Sequence, residues 1–256
     1  MTEAEWLNCT NSKLMLAFLR GKASERKLRL FACACCRRIW HLLTDARSRK
    51  AIEVAEQSAD GWANPQALLE ASDSAWAAAK ELITSYQTAS GFDPYTDPEQ
   101  MYGIHDDCLA APAACAAAYA SMTDLGWVSS VARYACHATV QAASPVGADR
   151  SAGGIAAREE AERAEWIGQA ALLRDIFGPL PFRPLTIGPA WAAWNNGMVV
   201  RLAQGIYDDR AFDRLPILAD ALEESGCDNT DIPNHCRGAG PHVRGCWVVD
   251  LILRKE

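Results

Sequence analysis

The stretch Ser24-Glu-Arg-Lys-Leu-Arg-Leu-Phe-Ala-Cys-Ala-Cys-Cys-Arg-Arg-Ile-Trp-His-Leu-Leu43 decides the fold. Leu28, Phe31, Ala32, Cys35, Ile39 and Leu42 recur at the spacing of one helix face. Ser24 offers a side-chain oxygen to the first turn, which is charged. The run predicts a helix from about Glu25 to Leu43. Its Cys33-Ala34-Cys35-Cys36 centre has two readings. A thiolate metal site needs ligands on one side, but residues two apart on a helix diverge, so Cys33 and Cys35 do not readily share an ion. Small buried hydrophobes fit better, because free cysteine is among the most buried residue types.

The same grammar extends outward. Met1 to Gly21 reads as a short helix stopped by Gly21. Thr44 or Asp45 caps a helix over Ala46 to Ala59, ended by Asp60-Gly61. Asn64-Pro65 places a cap before a proline at the first helical position of a long alanine-rich helix, Gln66 to Tyr86. Asp97-Pro98 starts a helical stretch, Glu99 to Met122, that Pro112 breaks near Ala110. Further helices are expected over Leu125 to Ala143, Ile155 to Phe177, Ala190 to Tyr207 and Leu215 to Ser225. Ser144 to Gly154 reads as a loop, and its Gly153-Gly154 lacks the strand and lysine-serine ending of a phosphate loop. Trp247 to Leu253 has strand-like composition but no partner strand, so it reads as a final helix beginning near Pro241 or Val243. The expectation is all-α: a compact array of about nine or ten helices. Pro179-Leu-Pro-Phe-Arg-Pro184 is neither helix nor central strand. It separates an N-terminal region, 1–178, from a C-terminal region, 179–256, packed on it or continuous with it.

Totals narrow the function. The chain has 256 residues, 50% hydrophobic and 22% charged, which suits a globular protein with a real core. The net charge of -7 argues against nucleic acid as the partner. No run reaches the roughly 18 apolar residues of a membrane span. The acidic N-terminus does not resemble a secretory signal, so a cytoplasmic location is expected, where cysteines are thiols or metal ligands. Nine tryptophans spread over nearly every expected helix. They fill a core, and some can anchor a partner protein.

Chemistry concentrates in Cys227-Asp-Asn-Thr-Asp-Ile-Pro-Asn-His-Cys-Arg-Gly-Ala-Gly-Pro-His-Val-Arg-Gly-Cys-Trp247. Cys227, Cys236 (or His235), His242 and Cys246 supply four donors of the kind zinc takes tetrahedrally, but without a C-x2-C knuckle. Alternatively, these thiols pack in the core and Arg237 to Pro241 is a turn between helices. Arg237, His242 and Arg244, beside glycine amides, form a candidate anion site. An enzyme would use Cys246 with His242, four apart on a helix, or His105, Asp106 and Cys108. No hydrolase, zincin or nucleotide-loop motif supports one. The leading expectation is a non-catalytic helical binding or adaptor module with a protein partner and no cofactor. A zinc-stabilised helical protein and a Cys/His enzyme are the alternatives.

The segments Arg29 to Trp40, Leu173-Arg-Asp-Ile-Phe-Gly178 and Gly240-Pro-His-Val-Arg-Gly-Cys-Trp247 resemble a paralogous, lineage-restricted family of proteins abundant in planctomycete bacteria. The resemblance covers most of the chain, less so Ser144 to Gly154. It implies a bacterial, intracellular protein and brings no activity, ligand or catalytic residue with it.

Overall fold

A computed structural model describes residues 1–90, 111–122, 128–143, 152–186 and 188–255. Among them are twelve α-helices and no strand. They are α1 (Glu3–Asn8), α2 (Ser12–Leu19), α3 (Glu25–Arg38), α4 (Ala46–Ala59), α5 (Pro65–Ser90) and α6 (Ala111–Ala120). After these come α7 (Val128–Ala143), α8 (Ala152–Phe177), α9 (Pro189–Asp209), α10 (Leu215–Glu224), α11 (Asp231–Arg237) and α12 (Trp247–Leu253).

Local caps set many of the starts. Thr2 and Glu5 form a reciprocal capping box on α1. The side chains of Asn11, Ser24 and Asp45 accept first-turn amides of α2, α3 and α4. Asn64 Oδ1 does the same for Ala67 in α5, at 2.7 Å. The single helix expected before Gly21 is therefore two, because Asn11 restarts it. The long run from Glu25 stops at Arg38 and continues as a 3-10 turn, Trp40–Leu42. Helix α8 begins inside the expected loop, at Ala152, so Gly153 and Gly154 are helical.

Helix α3 is the axle. It packs against α4, α6, α7 and α8. Every residue from Arg29 to Cys36 is buried, so the faces around which Cys33, Cys35 and Cys36 diverge are all covered. Burial raises all three thiols above the usual cysteine range. They are small core residues, and Ala113, Ala116 and Ala117 of α6 share their core with equally small side chains.

The buried apolar residues form two main groups. One runs from Trp6 to Phe177 around α3. The other gathers Trp191, Ile206, Tyr207, Leu218 and Trp247 from α9 to α12. The proline-rich connector straddles them: Phe182 stacks on Phe18 at 5.2 Å in the first group, while Leu180 and Leu185 pack on the second.

Candidate metal centre

Asp175 lies in the last turn of α8, one turn before Gly178 ends the helix with φ +51°. A carboxylate there opposes the helix dipole and needs a compensating partner. Two histidines provide it. Asp175 Oδ1 is 2.7 Å from His242 Nδ1 and 3.1 Å from His235 Nε2. Asp175 Oδ2 accepts the Val243 amide at 2.9 Å. His235 Nε2 also lies 3.2 Å from Cys246 Sγ. One ligand atom from each of Asp175, His235, His242 and Cys246 lies within 4.8 Å of all the others, so the group could hold a metal ion.

Three pieces of chain build this group. Helix α8 brings Asp175 and α11 brings His235, while the turn between α11 and α12 brings His242 and Cys246. Trp247 locks them together. An ideal Cβ placed on Gly178 would sit 2.5 Å from the Trp247 ring, so only glycine lets the indole close on the end of α8. The same indole meets the His235 ring at 5.1 Å between centroids.

The electrostatics follow from burial and these contacts. Burial pushes the Asp175 carboxyl up, but hydrogen bonds from His235 and His242 outweigh it and hold it below the usual aspartate range. Burial pulls His242 down, and Asp175 outweighs that too, leaving the imidazole above its usual value. His242 Nε2 faces the Gly238 carbonyl at 3.1 Å. The ring is thus flanked by two acceptors. Either both nitrogens carry protons, or Nε2–H donates to Gly238 while a cation sits at Nδ1, the usual orientation of a ligating histidine. Burial first, and the Asp175 charge second, keep the Cys246 thiol well above its usual pKa. Beside His242, a cleft of about 310 Å³ between Phe212, Pro216 and Gly238 leads to solvent.

The sequence expectations fare unevenly. His242 and Cys246 of the expected metal quartet are brought together; Cys227 and Cys236 are not part of the group. Cys236 follows His235 by one residue on α11. It therefore points about 100° away, into the second core, where it is buried. Cys227 lies just beyond α10, and its thiol donates to the Asn229 carbonyl at 3.6 Å. Asp175 escaped the sequence reading because it lies 60 residues before His235. Its one visible sign is a carboxylate at the wrong end of a helix, among Leu172, Leu173 and Ile176.

Nor do Arg237, His242 and Arg244 form one anion site. Arg237 forks onto Glu223 and Asp220, each at 2.6 Å, on an exposed face of α10. A tight turn, closed by the Cys246 amide on the Val243 carbonyl and carrying Gly245 at φ +97°, throws Arg244 away from His242. The Arg244 guanidinium instead lies over the Tyr207 and Trp62 rings. The expected His242–Cys246 helical pair is absent too. Helix α12 starts only at Trp247, so the thiol meets His235 rather than His242. His105, Asp106 and Cys108 lie outside the described residues. Among the described residues, no helix is long and apolar enough to cross a membrane.

No known protein family, curated protein or solved structure matches this chain.

Proposed function

We propose that the chain is a zinc-braced helical protein, with the metal at Asp175, His235, His242 and Cys246 serving the fold rather than a reaction. One observation carries this reading: four donors from three separate segments converge around a single buried point. Two imidazoles and a thiol suit zinc better than magnesium or calcium, which prefer oxygen donors. Four protein donors fill a tetrahedron, whereas catalytic zinc keeps a position open for water or substrate. Zinc–nitrogen and zinc–sulfur bonds of about 2.0–2.3 Å set donor separations of roughly 3.3–3.7 Å. The closest donor pairs here, 2.7 to 3.2 Å, would spread slightly, and the wider ones, up to 4.8 Å, would draw in by about 1 Å. A cation at this point also reverses the Cys246 electrostatics, because metal binding removes the thiol proton that burial otherwise retains.

Elemental analysis of the protein, expressed with zinc and dialysed against metal-free buffer, tests the proposal. The expected content is about one zinc per chain, with a loss of about 10 °C in Tm on chelation, the scale of a few kcal/mol in a chain of this size. Asp175→Asn and Cys246→Ser should both lose the metal, while Cys227→Ser should keep it. Metal below about a tenth of an equivalent, in natively purified and in zinc-refolded protein alike, overturns the reading.

A further inference from the structure

A second feature is a cleft that Trp247 lines and neither His235 nor His242 does. The cleft, of about 670 Å³, opens where α2, the start of α3, the end of α8, the 179–186 connector and α12 meet. That volume is in the range of small-molecule sites. Leu19, Phe177, Leu180 and Trp247 make an apolar floor. Lys22, Lys27, Arg254 and Lys255 stand around it, and among the described residues Asp250 is the only acidic side chain in the lining.

That aspartate is already engaged. Arg26 Nη1 donates to it at 2.6 Å and Lys27 Nζ at 3.2 Å. Lys27 spends its other hydrogens on the Ile176 carbonyl at 2.7 Å and the Gly245 carbonyl at 3.4 Å. Asp60, next along, takes Arg26 and the Tyr207 hydroxyl, with Lys255 at 3.6 Å and Arg244 at 4.0 Å. Arg26, Lys27, Arg244 and Lys255 thus share two carboxylates in a poorly solvated seam, where burial lowers the Lys27 pKa and Asp250 opposes that. Tyr207 does not balance them, because burial, with the Asp60 hydrogen bond second, keeps its phenol protonated. Arg244 Nε is buried without a hydrogen-bond partner. At the cleft mouth, Lys22 and Arg254 form no ion pair among the described residues, and the Lys22 ammonium lies over the Phe18 ring at 3.7 Å. The chain as a whole carries -7, so this cationic surplus is local. Uncompensated buried charge is costly, and an anion beside it lowers that cost.

We infer that the cleft binds an amphipathic monoanion, a medium-chain aliphatic carboxylate, with its head among Lys22, Arg254 and Lys255 and its chain on the Leu19–Phe177–Trp247 floor. An inorganic anion leaves the apolar floor unused, and a neutral lipid leaves the cations uncompensated. Lys27 is fully hydrogen-bonded and acts through its field, behind the head group. The inference is independent of the metal centre.

Titration with decanoate below its micellar range, read by calorimetry and by intrinsic tryptophan fluorescence, tests it on the full chain. Decanoate should bind saturably at one site per chain, with decanol and inorganic phosphate each at least about tenfold weaker. Lys22 and Arg254 are exposed, so Lys22→Glu with Arg254→Glu should leave Tm unchanged and weaken decanoate by about tenfold or more. Leu180→Asp, which charges the floor, should weaken it comparably. Four results overturn the inference: no saturable decanoate binding, decanol binding equally well, phosphate binding equally well, or a folded double variant that binds as the parent does. Repeating the titration after chelation keeps the two proposals apart, since a failure of the metal site leaves a folded, metal-free protein that still binds decanoate.

Discussion

Single residues carry much of the chemistry, and Glu56 shows how directly. It is buried on α4 and receives Arg37 from α3, at 2.7 and 2.8 Å, and Arg210 from beyond α9. Burial pushes its carboxyl up, but the two guanidinium groups outweigh that and hold it below the usual glutamate range. A carboxyl lowered on folding stabilises the protein above its unfolded pKa, and the contribution disappears as pH falls through the folded value. Glu56→Gln should therefore cost about 1–3 kcal/mol at pH 7, since both arginines stay partly solvated. It should also flatten the loss of stability below about pH 4.5, a difference that urea unfolding at pH 7 and pH 3.5 will measure. At this scale the sequence was partly legible. His242 and Cys246 stood out by type and spacing. Asp175 did not, because nothing local links a helix-terminal aspartate to histidines about 60 residues later.

Elements were more legible where a cap and a hydrophobic period agreed. Helix α4 matches its expected span because Asp45 caps it and Asp60 follows its end. Helix α9 departs from expectation. Its backbone leaves the helix at Trp194, and Asn195, Asn196 and Gly197 take left-handed conformations. The sign was present, since asparagine and glycine tolerate that region best, but the flanking tryptophans kept a helical rhythm. Helix α12 starts later than expected because the turn at Arg244-Gly245 occupies the residues that would have been its first turn. The junction of α8 with α12 depends on one missing side chain. Gly178→Ala should cost at least about 2 kcal/mol, combining a left-handed φ with a methyl driven into the Trp247 ring. Thermal unfolding gives the size of the loss. A loss below about 0.5 kcal/mol would mean that α12 docks by some other contact.

On the scale of the whole molecule, two apolar cores are joined by polar contacts. Arg26 and Lys27, on the axle of the first core, meet Asp250 and Tyr207 of the second. Asp250→Asn should cost about 3–5 kcal/mol, because it strands two cations already placed in a poorly solvated seam. Replacing Lys27 with Met in the same background should return part of that loss, and a double-mutant cycle by chemical denaturation measures the coupling. None of this network was visible in sequence. Charged residues at helix ends read as solvated surface until the packing of distant segments buries them.

The span of that seam has a consequence for synthesis. Asp250 follows Lys27 by 223 residues. Until the ribosome has released that late aspartate, the lysine at the head of the axle has no counter-charge. The first core can gather its leucines and cysteines as they emerge, but its charged rim stays wet until α12 arrives. Helix α12, far along the chain from the axle, is thus the one that excludes water from the edge of the first core.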